Sequence, residues 1–300
     1  MSVPRSSVTL HDEISPSVTA PSADQHGRAP LVVIEARPGW KGFGLLEFWR
    51  SRELLYFLVW RDVKVRYKQT VLGVAWAVLQ PVLTMILFTF VFGRLGGMGR
   101  LVQVPYPVFA YSGILLWGFF AAAVGQGSTS LVVSSHLISK VYFPRLIIPV
   151  AAVGSGLPDL AVSSVLMFGL LLGFGLPLQA RALLFPVFVG TAILSAIGVG
   201  TLLSALTVAY RDFRYVTGYL IQTWMFVSPV AYPLDAIPER FRLLYSLNPM
   251  VGPIAGCRSS LLGEAFPWGA IAVSATASIL LLLVAMAYFR SVERRFADIV

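Results

Sequence analysis

The sequence predicts an all-α polytopic membrane protein with six transmembrane helices, and three observations carry that prediction. Mean hydropathy is +0.77 and 57% of the 300 residues are hydrophobic against 12% charged, a balance that would leave a water-soluble domain insoluble. Uncharged stretches long enough to cross about 30 Å of hydrocarbon recur along the chain. Lys and Arg gather at the ends of those stretches, where they set orientation and meet lipid headgroups, so the formal charge of +9 implies no nucleic-acid partner.

Residues 1–43 are rich in Ser, Pro, Thr and Ala and hold one short apolar run, so a disordered cytoplasmic tail is expected there. The tail shows no apolar h-region of a signal peptide, and the first span is expected to act as its own insertion signal. Over 44–68 an amphipathic helix is expected to lie along the inner membrane surface. Its stripe is Tyr56, Val59, Trp60, Val63 and Tyr67 at helical spacing, with Arg61, Lys64 and Lys68 projecting away from it. The basic cluster Arg61, Lys64, Arg66 and Lys68 then runs without a loop into the first span, past Gly73 and Trp76.

Spans are predicted at about 71–93, 107–133, 146–176, 182–209, 215–232 and 270–289, within a transmembrane domain over 69–295. The stretch from His136 through Lys140, Tyr142 and Phe143 to Arg145 reads as a cytoplasmic turn with a short helix. There Pro144 keeps Phe143 out of helical geometry and suits the first turn of the next helix. The Tyr210, Arg211, Asp212, Phe213, Arg214 turn closes the fourth span on the same side, and Pro229 predicts a bend near the outer end of the fifth. Residues 233–267 mix Asp235, Glu239, Arg240, Arg242, Arg258 and Glu264 with short apolar runs. Two short helices re-entering the outer leaflet fit that mixture, with a plain surface loop as the alternative.

Charge counting supports the orientation. Arg50, Arg52, Arg61, Lys64, Arg66, Lys68, Lys140, Arg145, Arg211, Arg214, Arg290, Arg294 and Arg295 fall on the predicted inside. They outnumber Arg94, Arg100, Arg181, Arg240, Arg242 and Arg258 outside, which places both termini in the cytoplasm.

Several chemistries have no support. The lysines Lys41, Lys64, Lys68 and Lys140 precede Gly, Val, Gln and Val, so the chain carries no P-loop and any ATP is handled by a partner. Cys257 is the sole cysteine, which excludes an intrachain disulfide and a cysteine-built metal cluster; it reads as a packing residue. His136 has no His or Cys near it in sequence, so no metal site is expected, and no catalytic residue is assigned. Asp159, after Pro158, is the one acidic residue inside a predicted span, and its charge must find a partner, water or a proton. A structural ion pair and a role in a substrate path both remain open for it. Gly169 and Gly173 form one GxxxG match. Aromatic residues near the predicted interfaces, among them Tyr106, Trp117, Phe119, Phe120, Trp224, Phe226, Tyr232 and Trp268, read as belt or packing residues, some of them offering faces for sugar rings.

Three separated segments resemble a known family, the ABC-2 type permeases that export lipid-linked polysaccharides, O-antigens, capsules and teichoic acids. They are Arg66-Tyr67-Lys68-Gln69-Thr70-Val71-Leu72-Gly73 with Trp76 and Pro81; Lys140-Val141-Tyr142-Phe143-Pro144-Arg145 with Pro149; and a third, discontinuous group. That group is Tyr210-Arg211-Asp212-Phe213-Arg214, Ser228-Pro229-Val230, Tyr232-Pro233, Asn248-Pro249-Met250 and Gly256-Cys257-Arg258. The chain departs from the pattern at Ala255 and Cys257, where relatives often carry an acidic residue and Phe. The resemblance implies a homodimer working with two separate ATP-binding cassette subunits, which would hold ATP and Mg, and a lipid-linked glycan substrate. It implies coupling to the ATPase through His136, Lys140, Tyr142, Phe143, Pro144, Arg145, Arg211 and Asp212. It further suggests a path or gate near Asp159, Trp224, Tyr232, Asn248 and Pro249. An ABC-2 permease for a drug or small lipid is the nearest alternative; a membrane enzyme or scaffold in glycan assembly is the alternative of another class.

Overall fold

The computed structural model describes residues 49–68, 73–140 and 143–293, and among them all regular structure is helical. The expected tail at 1–43 and the residues Gln69 to Leu72, Val141, Tyr142, Arg294 and Arg295 lie outside the described residues.

Helix α1 (Arg52–Lys68) docks on the bundle through Leu54, Leu55, Leu58 and Val59, which meet Ile147, Ala151 and Leu137. The expected stripe and the packed face share Val59, while Tyr56 and Trp60 point outward. The basic residues do not turn away from the aromatics: Lys64 Nζ sits 5.2 Å over the Trp60 ring, beside Phe57, Arg61, Val65 and Lys68. The leucine face wins because it meshes with the small residues of the neighbouring helix, leaving an outward surface of aromatic bodies and basic tips.

The first span joins α2 (Gly73–Phe88) to a π-helical stretch, Thr89–Leu95. Helix α3 (Tyr106–Val133) is the central element, buried along most of its length. It packs against α2, the third and fourth spans and two of the shorter helices described below. A short helix, α4 (Ser135–Lys140), follows it, as expected for the turn. The third span is broken: α5 (Ile147–Gly154) gives way at Ser155 and Gly156 to α6 (Leu157–Gly173), whose second residue is Pro158. Helix α7 (Phe185–Ala209) lies beside α3, and Gly127 and Gly200 bring the two backbones together. A Cβ on Gly127 would stand 3.2 Å from the Gly200 Cα. The GxxxG pair Gly169 and Gly173 faces open space among the described residues, so it packs against none of them.

The fifth predicted span differs from expectation. Helix α8 (Phe213–Phe226) has 14 residues, about 21 Å at 1.5 Å per residue, too short to cross the hydrocarbon alone. It stops before Pro229, whose ring disfavours helical geometry at Ser228 and whose missing N–H cannot continue the ladder. Five helical segments are long and apolar enough to span: Ala75–Leu95, Tyr106–Val133, Ile147–Gly173, Ala180–Ala209 and Trp268–Glu293. After α8 the chain forms two short helices, as the re-entrant reading expected. Of these, α9 (Glu239–Tyr245) is largely exposed. By contrast α10 (Val251–Leu262) is buried among α3, α7 and the last helix, α11 (Trp268–Glu293). Gly263 ends α10 at φ +80°, a left-handed cap that glycine adopts without strain.

Candidate functional site: a cavity between two differently held ends

A cavity of about 920 Å³ lies between α2, α3 and α6. Its wall on α3 extends from Ile114 to Gln126, on the order of 18 Å of helix axis. Trp76, Ala77, Gln80, Pro81 and Thr84 come from α2, while Gly156, Asp159, Leu160 and Ser163 come from the start of α6. Pro81 has no N–H, so the Ala77 carbonyl one turn earlier loses its helical donor beside the cavity. Trp76, Trp117 and Phe119 add aromatic surface. A wall that mixes aromatic rings with scattered amides and hydroxyls suits a ligand that is both apolar and hydroxylated.

One end of the cavity is polar. Arg66, at the end of α1, donates through Nη1 to Asp159 Oδ2 and through Nη2 to Gln126 Oε1 and, at 3.2 Å, Ser155 Oγ. The Tyr67 hydroxyl donates to the other Asp159 oxygen. Asp159 thus has the ion-pair partner that one of its two open readings required, and it also lines the cavity. Desolvation, and then the hydrogen bond to Asp159, push the Tyr67 phenol up to about 12.

The other end is closed by a polar clasp. Met225 and Val230 line the cavity there. Arg258, 2% exposed on α10, donates to Val230 O at 2.6 Å, Tyr232 O at 3.1 Å and Ser112 Oγ at 3.2 Å. Its guanidinium also lies 3.7 Å from the Phe109 ring centroid. Asn248 Nδ2 donates to Val227 O at 3.0 Å and Ser228 Oγ at 2.9 Å, and its Oδ1 accepts from the Met250 N–H. Tyr232 Oη meets Tyr245 Oη at 3.0 Å, and buried Pro249 accepts from Ser195. Trp224 packs edge-on against Phe120, 5.4 Å between centroids, rather than facing the cavity. Of the expected path or gate residues, Asp159 lines the cavity, Tyr232 and Asn248 fasten the break after α8, and Pro249 meets Ser195 on α7. Sequence reasoning missed Gln126, Ser155 and the burial of Arg258; the last had been counted only as an outside charge.

The expected coupling residues that the structure describes fall on two turns, one before α5 and one before α8. Phe143 packs with Leu131, Ile148, Ala205, Val208 and Phe289, where α3, α5, α7 and α11 converge. Arg145 Nη1 donates to the Glu293 carbonyl, tying the turn to the last span, and Pro144 precedes α5. Lys140 is exposed at the end of α4, as are His136 on that helix and Arg211 and Asp212 before α8. Arg61 pairs with the adjacent Asp62 at 2.8 Å, Lys64 and Lys68 belong to the outward basic face of α1, and Gly73 begins α2.

Comparison with known proteins agrees with this architecture. The O-antigen export system permease protein RfbA of Myxococcus xanthus is 30% identical over 259 residues, covering 84% of this chain and 97% of that protein. An RfbA of Klebsiella pneumoniae is 28% identical over 249 residues, covering 82% and 95%. The inner membrane transport permease YadH of Escherichia coli K12 is 26% identical over 194 residues, covering 61% and 74%. Residues 53–262 match the family described as ABC-2 type transporter. The spans, the broken helix after them and this match together establish that the chain is a multi-pass membrane protein belonging to the ABC-2 type transporter family.

Proposed function

We propose that the chain is the permease subunit of an ATP-driven exporter that moves a lipid-linked polysaccharide outward across the cytoplasmic membrane. The observation that carries this reading is the cavity: aromatic faces alternate with amides and hydroxyls over a length that suits several sugar rings. The relatives support a glycan, because two permeases named for O-antigen export align over 84% and 82% of this chain.

In this reading two copies of the chain work with two ATP-binding subunits, which hold ATP and Mg. The exposed face of α2, with Trp76, Leu79, Leu83, Ile86 and Leu87, is left for the second copy or lipid. ATP-driven closure pushes on the turn at 134–145 and the turn at 210–214. The Phe143 cluster passes that push to four spans as a unit.

The test is deletion and complementation in the native host with surface glycan as the readout. The wild-type chain restores the glycan; a deletion strain that keeps it would sink the reading. Phe143→Ala, which removes a half-buried ring at a cost of about 2 kcal/mol, should leave the protein in the membrane and the ATPase running while export falls. Normal export in that variant would remove this turn as the coupler.

A further inference from the structure

Among the described residues that line the cavity, Arg66 is the one cation and Asp159 the one anion. Their ion pair is partly open to water, with side-chain exposures of 27% and 32%. The pair also crosses elements, since Arg66 and Tyr67 end the surface helix α1 while Asp159 stands in the first turn of α6. It is therefore a tie between that helix and the bundle.

The hydrogen bonding makes the tie exchangeable. Gln126 and Ser155 orient one edge of the guanidinium, and only the edge facing Asp159 holds a charged acceptor. Asp159 has a second donor in Tyr67 and keeps a hydrogen bond if Arg66 turns away. A phosphate presents more charge and more oxygens than a carboxylate and matches the guanidinium fork at least as well. We propose that this cluster is a phosphate-reading site at the mouth of the cavity. The phosphate joining lipid to glycan takes Arg66 from Asp159, while Asp159 stays on Tyr67 and α1 stays docked through Leu58. The proposal rests on the glycan-export reading for the identity of the ligand.

A phosphate could also come from a bulk anionic lipid headgroup, so the probes separate the two sources. Full-length protein in phosphatidylcholine nanodiscs is titrated with radiolabelled undecaprenyl phosphate, with undecaprenol and phosphatidylglycerol as competitors. Wild type should bind undecaprenyl phosphate, with undecaprenol and equimolar phosphatidylglycerol competing poorly. Arg66→Gln should weaken binding by about tenfold, and Asp159→Asn, which removes the internal competitor, should strengthen it by about threefold.

A purely structural ion pair predicts the opposite for Asp159→Asn, namely binding unchanged or weakened, and that outcome overturns the proposal. Equal competition by phosphatidylglycerol reduces the site to a headgroup contact and overturns it as well. Burial of Cys257, read by its resistance to maleimide, certifies that each variant is folded; Arg66→Lys stands in if Arg66→Gln is not. Deletion of the chain separates the two claims. Surface glycan lost on deletion, with both variants binding as wild type, removes this site and leaves export standing. Glycan retained on deletion removes export itself.

Discussion

Two arginines mark the two ends of the cavity, and the protein holds them in opposite ways. Arg66 is partly exposed, sits on a helix outside the bundle and pairs with a carboxylate. Arg258 is fully buried, sits on α10 and is held by two backbone carbonyls, a hydroxyl and an aromatic face. Among the described residues no carboxylate forms an ion pair with it. A carboxylate can be replaced by another anion arriving from water, whereas carbonyls freed by a helix break have no substitute donor at that depth. The first arrangement suits a contact that is made and unmade; the second suits a fixed wall.

That contrast is strongest where the clasp is removed. Arg258→Met leaves Val230 O, Tyr232 O and Ser112 Oγ short of a donor and should cost about 3 kcal/mol or more. The temperature at which the buried Cys257 becomes reactive to a thiol dye measures it, and an unchanged temperature would mean that the clasp is not structural. Next in size is Gly256→Ala, because the new Cβ would fall 2.1 Å from the Phe188 ring and force it to move, at about 1 to 3 kcal/mol. Combining it with Phe188→Ala should recover part of the loss; strict additivity would show that the contact is not the cause.

Breaking the other arginine should matter far less for stability. Arg66→Gln or Asp159→Asn should each cost less than about 1 kcal/mol in the same assay, since the pair is partly solvated. A loss comparable to that of Arg258→Met would erase the distinction between the ends. The smallest effect is in pH. The Tyr67 phenol titrates near 12 in the folded protein, above its ordinary value near 10, so its contribution is complete below pH 10 and lost as pH rises through about 12. Tyr67→Phe should therefore flatten the alkaline fall in stability across that window, and an identical fall in the two proteins would remove the contribution.

Much of the architecture was legible because membrane spans declare themselves locally. Charge-free length and basic ends place five long helices, the short helix in the turn and the two short helices before the last span. Pro229 announced an irregularity, but not that α8 would stop at Phe226. The face of α1 that meets the bundle was not legible, since Tyr56 and Trp60 have helical spacing as good as that of Leu54, Leu55, Leu58 and Val59. Only the partner surface at Ile147 and Ala151 chooses between them. GxxxG at Gly169 marked no packed face, while Gly127 and Gly200, on different helices, make the close approach that no spacing rule within one helix reveals.

The sequence by itself determined that this chain carries apolar helices able to cross a membrane, where the five long ones lie and which family the chain resembles, because each rests on residues close together in the chain. Only the tertiary structure decided that Asp159 meets Arg66 and Tyr67 across more than 90 positions, and that Arg258 turns inward to close a broken helix. Ion pairs and clasps depend on where distant backbones come to lie. That placement follows from the packing of all the helices together and from no single stretch of sequence.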